Sequence, residues 1–97
     1  MQDSKFPVRF GYAIFCPTLF QGMMPACYEG DYPSVFDTEL EAQREIADNQ
    51  LTRIQQFLDG EREFHDAIST DEIVLPVEVW SDGCISTEDD RIFGKQE

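Results

Sequence analysis

The stretch TELEAQREIADNQLTRIQQFL, from Thr38 to Leu58, decides the fold class, because it is the longest segment with a single clear period. Leu40, Ala47, Leu51, Ile54 and Leu58, flanked by Ile46 and Phe57, recur at steps of three, four and seven, which places them on one stripe of a 3.6-residue helix. Glu39, Gln43, Asp48, Asn49, Thr52, Gln55 and Gln56 share no such pattern. The expectation is an amphipathic helix whose stripe packs on the rest of the protein and whose polar side meets solvent or a partner. Its ends are written in local chemistry. Thr38 and Glu41 fit the S/T-x-x-E capping box, in which each side chain satisfies an unpaired backbone donor. Asp37, Glu39 and Glu41 suit the positive end of the helix dipole, and Asp59-Gly60 supplies a residue able to close the helix in the left-handed conformation.

On the N-terminal side, Met1 to Lys5 is polar and expected to fray. Phe6 to Cys16 alternates in the manner of a strand, most clearly from Tyr12 to Cys16, and Pro17 is expected to stop it. Thr18 to Pro25 has the composition of a hairpin loop, with Leu19, Phe20, Met23 and Met24 as unusual apolar members. Ala26 to Glu29 suggests a short returning strand, Gly30-Asp31 a turn, and Val35-Phe36 a further extended piece leading into the helix. On the C-terminal side, Phe64, Ala67 and Ile68 have helical spacing within Glu61 to Ile68. Ile73 to Trp80 reads as a strand with Ile73, Leu75, Val77 and Val79 on the face expected to lie on the helix. Pro76 implies an edge or a bulge there. Ser81-Asp82-Gly83 is a tight-turn sequence before a short strand, Cys84 to Ser86, and Ile92-Phe93 is a docking candidate in an otherwise polar tail. The order β-β-α-α-β-β implies an α+β fold, a small antiparallel sheet with one long amphipathic helix packed on one face, with residues 1–97 as a single domain.

The charge is lopsided. Twenty acidic residues against seven basic ones leave a formal net charge of −13, more than solubility alone asks of a small domain. Residues 59–97 hold twelve acids and three bases, whereas residues 1–58 hold eight and four. The basic residues are scattered singly, so direct nucleic-acid binding is not expected and a basic partner fits better. Three irregularly spaced cysteines, Cys16, Cys27 and Cys84, do not form a disulfide or zinc-ribbon pattern. A reducing, cytoplasmic setting is expected, with neither a signal-type leader nor an apolar run long enough to span a bilayer. Eight phenylalanines argue for a packed core rather than a disordered acidic tail.

No reaction is encoded by motif. His65 is the single histidine, set among Glu63 and Asp66; a Cys-His-Asp arrangement or a zinc site can be drawn from it and the cysteines, but without the spacing either chemistry requires. Glu88-Asp89-Asp90 resembles a solvated turn rather than a calcium loop. No metal, cofactor or enzymatic activity is therefore expected. The binding candidates are Asp59, Glu61, Glu63, Asp66, Asp71, Glu72, Asp82, Glu88, Asp89 and Asp90 as a carboxylate surface, which can imitate a nucleic-acid backbone if presented from one side. Phe20, Met23 and Met24 are either an apolar anchor beside it or part of the core.

In size, acidity, α+β outline and absence of catalytic motifs, the chain resembles the small phage and mobile-element proteins that block host defence, anti-CRISPR inhibitors and other DNA mimics among them. That resemblance is one of character and carries no residue across. It implies a basic nucleic-acid-binding protein as partner, such as a CRISPR effector complex, bound without turnover. The competing expectation is a small oligomeric structural or regulatory module that pairs through the edge of the Ile73 to Trp80 strand.

Overall fold

A computed structural model describes residues 7–94; the expectations for Met1 to Lys5, and for Phe6 as the start of a strand, fall outside them. Along the chain lie β1 (Arg9–Thr18), β2 (Gly22–Pro25), β3 (Tyr28–Glu29), β4 (Tyr32–Pro33), α1 (Glu39–Leu58), α2 (Phe64–Ile68), β5 (Ile73–Val79), β6 (Ile85–Ser86) and β7 (Ile92–Phe93). A five-stranded antiparallel sheet has the order β2-β1-β5-β6-β7, and β3 and β4 form a separate ribbon. The class is α+β, as the pattern of elements implies.

β1 holds the sheet together. It pairs with β5 from Arg9–Val79 to Phe15–Ile73 and with β2 from Phe15–Pro25 to Thr18–Gly22. Contrary to expectation, Pro17 does not end the strand. Beyond Phe15 the β5 pairing has finished, so residues 16–18 are paired on one side alone, and a residue with no N–H is accommodated on the open side. Pro76 is tolerated for a related reason. Its partner is Tyr12, whose N–H and C=O are both engaged by Phe36, at 2.9 and 2.7 Å, and β6 reaches only Glu78 and Val79. β5 is thus interior along one side, and its other side is free only over residues 73–77.

The expected loop over residues 18–25 is mostly strand. The turn is confined to Leu19-Phe20-Gln21, where the Thr18 hydroxyl donates to the Gly22 carbonyl at 2.8 Å and accepts the Gln21 N–H at 2.9 Å. Gly22, at φ 69°, supplies the left-handed residue such three-residue hairpins require. The expected returning strand at Ala26 to Glu29 shrinks to Tyr28–Glu29, which folds back on Tyr32–Pro33 around the Gly30-Asp31 turn.

Side chains from alternate positions of the sheet make the main core: Ala13 and Phe15, Val77 and Val79, Ile85 and Phe93, with Met23, Met24, Val35 and Leu75 packed against them. Phe15 and Phe93 meet edge to face with ring centroids 5.3 Å apart. These strands are not neighbours, so the sheet curls until its two margins approach. Arg91, beside β7, spans the closing gap. It donates to the Met23 and Gln21 carbonyls at 2.9 Å each, contacts Met24 Sδ at 3.8 Å and lies 4.9 Å over the Phe93 ring.

α1 begins at Thr38, whose hydroxyl accepts the Glu41 N–H at 3.1 Å, while Glu41 reaches back to the Asp37 N–H at 3.1 Å. Asp59 and Gly60, at φ 81°, close it. Its orientation differs from the expected one. Ala42 is the one fully buried residue of α1; Ile46, Asn49, Gln50 and Arg53 share its side and are half-buried. Leu40, Leu51 and Leu58 are 57%, 64% and 68% exposed, and Ala47 is exposed as well. The leucine stripe therefore points outward. The face of β5 expected to carry the helix instead lines the curled core, which includes no α1 residue. Ile14, buried on the opposite face of β1, marks the side on which the helices lie. Ala42 and Ala67, both 0% exposed, are the fully buried residues of the two helices. The distal half of α1 is braced by α2 and the turn before it: Phe57 meets Phe64 edge to face at 5.3 Å, Gln50 donates to the Ala67 carbonyl, and Arg62, from the turn, donates to Gln56 at 2.7 Å. The molecule measures 53 × 29 × 23 Å with a radius of gyration of 15.2 Å, against about 12.5 Å for a compact chain of this length.

Candidate functional site

An open groove of about 430 Å³ lies on the sheet face opposite the core. β1 contributes Phe10 and Tyr12, β5 contributes Pro76 and Glu78, and Ser86, Glu88 and Asp90 come from β6 and the turn after it, with Asp37 entering from the N-terminus of α1. Strand register accounts for the grouping, since Phe10 pairs with Glu78, Tyr12 with Pro76 and Glu78 with Ser86, and laterally paired residues share a face. Phe10 is 69% exposed, an uncommon position for a large aromatic within a strand. Beneath it the polar groups are ordered: Trp80 Nε1 donates to the Ser86 hydroxyl at 2.9 Å, which donates to Glu78 at 3.1 Å. Ser86, 5% exposed, is thereby satisfied in both directions. At the rim Arg9 reaches Asp37 at 3.4 Å. Four carboxylates beside two aromatic rings suit a cationic group.

The carboxylates singled out in the sequence are divided between separate places. Asp59, Glu61, Glu63 and Asp66 are exposed around the α1–α2 junction, where Glu61, Glu63 and Asp66 line a second, shallower depression with Arg62. This group is partly neutralised, because Arg62 pairs with Asp66 at 2.5 Å; Asp59 accepts from Gln55 at 3.0 Å. Asp71 is exposed. Glu72 is turned inward, 3.9 Å from Arg53, with its side chain only 15% exposed. Glu88, Asp89 and Asp90 form the β6–β7 turn, with Asp90 in the left-handed conformation at φ 66°. Glu88 and Asp90 border the groove. Asp89 accepts from the Thr87 hydroxyl, which, ahead of its other neighbours, holds its carboxyl below the usual range. Asp82 is lowered by the Cys84 N–H it accepts.

Phe20 stands 94% exposed at the tip of the β1–β2 hairpin beside Leu19 at 92%, whereas Met23 and Met24 pack against the core. The apolar trio is therefore split, and Leu19 joins Phe20 in place of the methionines. Asp37, Glu78, Phe10 and Tyr12 were not singled out in the sequence. The available signal was Glu78, an acid within the apolar run Ile73 to Val79.

Cys16, Cys27 and Cys84 are half-buried free thiols. Burial, followed by Glu72 and Glu45, pushes the Cys27 thiol up; burial and then Asp82 do the same at Cys84. Both shifts favour the thiol over the nucleophilic thiolate. His65 is exposed on α2. Among the described residues no three His, Cys, Asp or Glu side chains gather in a metal-binding cluster, and no helix is long and apolar enough to cross a membrane. Comparison with protein-family models, curated proteins and solved structures found no match.

Proposed function

We propose that this protein acts without turnover, by binding a basic protein partner through its acidic surface and occupying the groove where that partner holds nucleic acid. An anti-CRISPR-type inhibitor of a CRISPR effector complex is one form of this reading. The observation that carries it is the groove framed by Asp37, Glu78, Glu88 and Asp90 against Phe10 and Tyr12. An arginine or lysine of the partner entering there gains carboxylate acceptors and an aromatic face together. The Glu61, Glu63 and Asp66 group at the α1–α2 junction adds a second anionic contact. A net charge of −13 accelerates the encounter with a cationic surface.

The test is capture of basic nucleic-acid-binding proteins from a defence-proficient bacterial lysate at low and moderate salt, with DNA as competitor. Retention is expected to fall with salt and with DNA, and to be reduced by E78K/E88K and, separately, by E61K/E63K. Capture unaffected by salt, or by both pairs of charge reversals, overturns the reading.

A further inference from the structure

We infer that the outward face of α1 is the seat of a second copy of this chain, packed antiparallel across a two-fold axis. The observation behind this is the direction of the helix: its three leucines, Leu40, Leu51 and Leu58, are exposed, whereas its inward side buries only Ala42 completely and Ile46 and Ile54 are half-buried. Most of the stability of a helix in a protein comes from packing of its apolar face. Here Leu40, Ala47, Leu51 and Leu58 of that face stay exposed, and Ile54 is half-buried.

The stripe is written in heptads. Leu40, Ala47 and Ile54 occupy one set of positions and Arg44, Leu51 and Leu58 the other, alternating by four and three residues, the spacing of a two-stranded seam. Antiparallel pairing centred on Asn49 sets Leu40 against Leu58 of the second copy and Ala47 against Leu51, a small residue opposite a large one. Each contact then occurs twice, as a two-fold axis requires. Charge selects the orientation. Parallel helices would bring Arg44 against its own counterpart, whereas the antiparallel pair places Arg44 beside Ile54, with its stem along the apolar seam and its head toward water. The area is also commensurate. Leu40, Leu51 and Leu58 with Ala47 and Ile54 present on the order of 500 Å² of apolar surface, at the upper end of what monomers leave exposed. With the residues flanking the seam, the contact approaches the ~800 Å² per partner of a standard interface. The exposure of Leu40, Leu51 and Leu58, at 57%, 64% and 68%, leaves the face accessible along the length of α1.

This inference is independent of the acidic-surface reading, and salt separates the two. Two copies each carrying −13 repel one another, so self-association strengthens as salt screens the repulsion, whereas binding of a basic partner weakens. Sedimentation equilibrium of the full chain from low micromolar to near-millimolar concentration is expected to show a monomer–dimer equilibrium that shifts toward dimer with salt. L51E/L58E is expected to abolish the dimer with its far-UV circular dichroism retained, because both side chains are exposed in the monomer; R44L is expected to tighten it at least tenfold. Chains bearing L40C mixed with chains bearing L58C are expected to form the mixed disulfide in preference to either homodisulfide. A chain monomeric at every concentration and salt overturns the inference, as does a dimer indifferent to both L51E/L58E and R44L. Preferential homodisulfides overturn the antiparallel arrangement.

Discussion

Replacing Arg91 with methionine tests whether the curled sheet is closed by one side chain. Arg91 donates to the carbonyls of Met23 and Gln21, each at 2.9 Å, and covers the Phe93 ring at 4.9 Å. Hydrogen bonds from a charged donor contribute about 1.5–3 kcal/mol when shielded and less when exposed. The Met23 contact is partly buried and the Gln21 contact is exposed, so the first dominates. The stacked guanidinium adds about 0.5–1 kcal/mol. Methionine keeps part of the apolar contact with Phe93 and loses the donors, for an expected loss of about 2–3 kcal/mol. That corresponds to a fall in Tm of roughly 10–20 °C for a domain of this size. Urea unfolding followed through Trp80, the single tryptophan, provides the assay, at a concentration low enough to keep self-association from contributing. R91K retains the charge but not the planar fork, and is expected to recover less than half of the loss. A change below about 0.5 kcal/mol for R91M, the range of ordinary surface substitutions, would refute the closure argument.

Gly11 sits where Val35 and Phe36 cross β1. A Cβ there would collide with Val35 Cγ1 and fall 2.9 Å from the Phe36 carbonyl oxygen, so G11A is expected to cost about 1–3 kcal/mol through overpacking, read by thermal melting. T38A removes the hydroxyl that caps α1 and is expected to cost about 1 kcal/mol in urea unfolding, with helicity otherwise unchanged. The Cys27 thiol, raised first by burial and then by Glu72 and Glu45, ionises later in the folded than in the unfolded protein. Its contribution is therefore intact below the ordinary thiol value of 9.0 and lost as pH rises past it toward the folded value. The urea midpoint is expected to fall over that alkaline interval and to fall less in C27A; an equal fall in both proteins would remove Cys27 as a cause.

The sequence by itself determined what depends on a few consecutive residues. Thr38 with Glu41 and Asp59-Gly60 bound α1 correctly, because a cap is a bond between a side chain and a backbone group three residues away. Gly30-Asp31 was legible as a turn and Ile73 to Val79 as a strand for the same reason. Alternation along β5 selected Val77 and Val79 for the core and Leu75 beside it, but Ile73, expected on the same face, is exposed at the start of the strand. What covers that face was a different matter. Periodicity groups side chains on one side of an element without saying what lies opposite, so the leucine stripe of α1 was legible while its outward direction was not. Tertiary structure alone decided that Ala42 faces inward, that Pro17 and Pro76 stand where strand pairing leaves them unopposed, and that Arg91 joins segments nearly seventy residues apart. It also divided the carboxylates, setting Glu88 and Asp90 beside Asp37 and Glu78 while leaving Glu61 and Glu63 at the far end of α1. Charge can be counted along a chain, but the field it makes depends on which strands lie side by side.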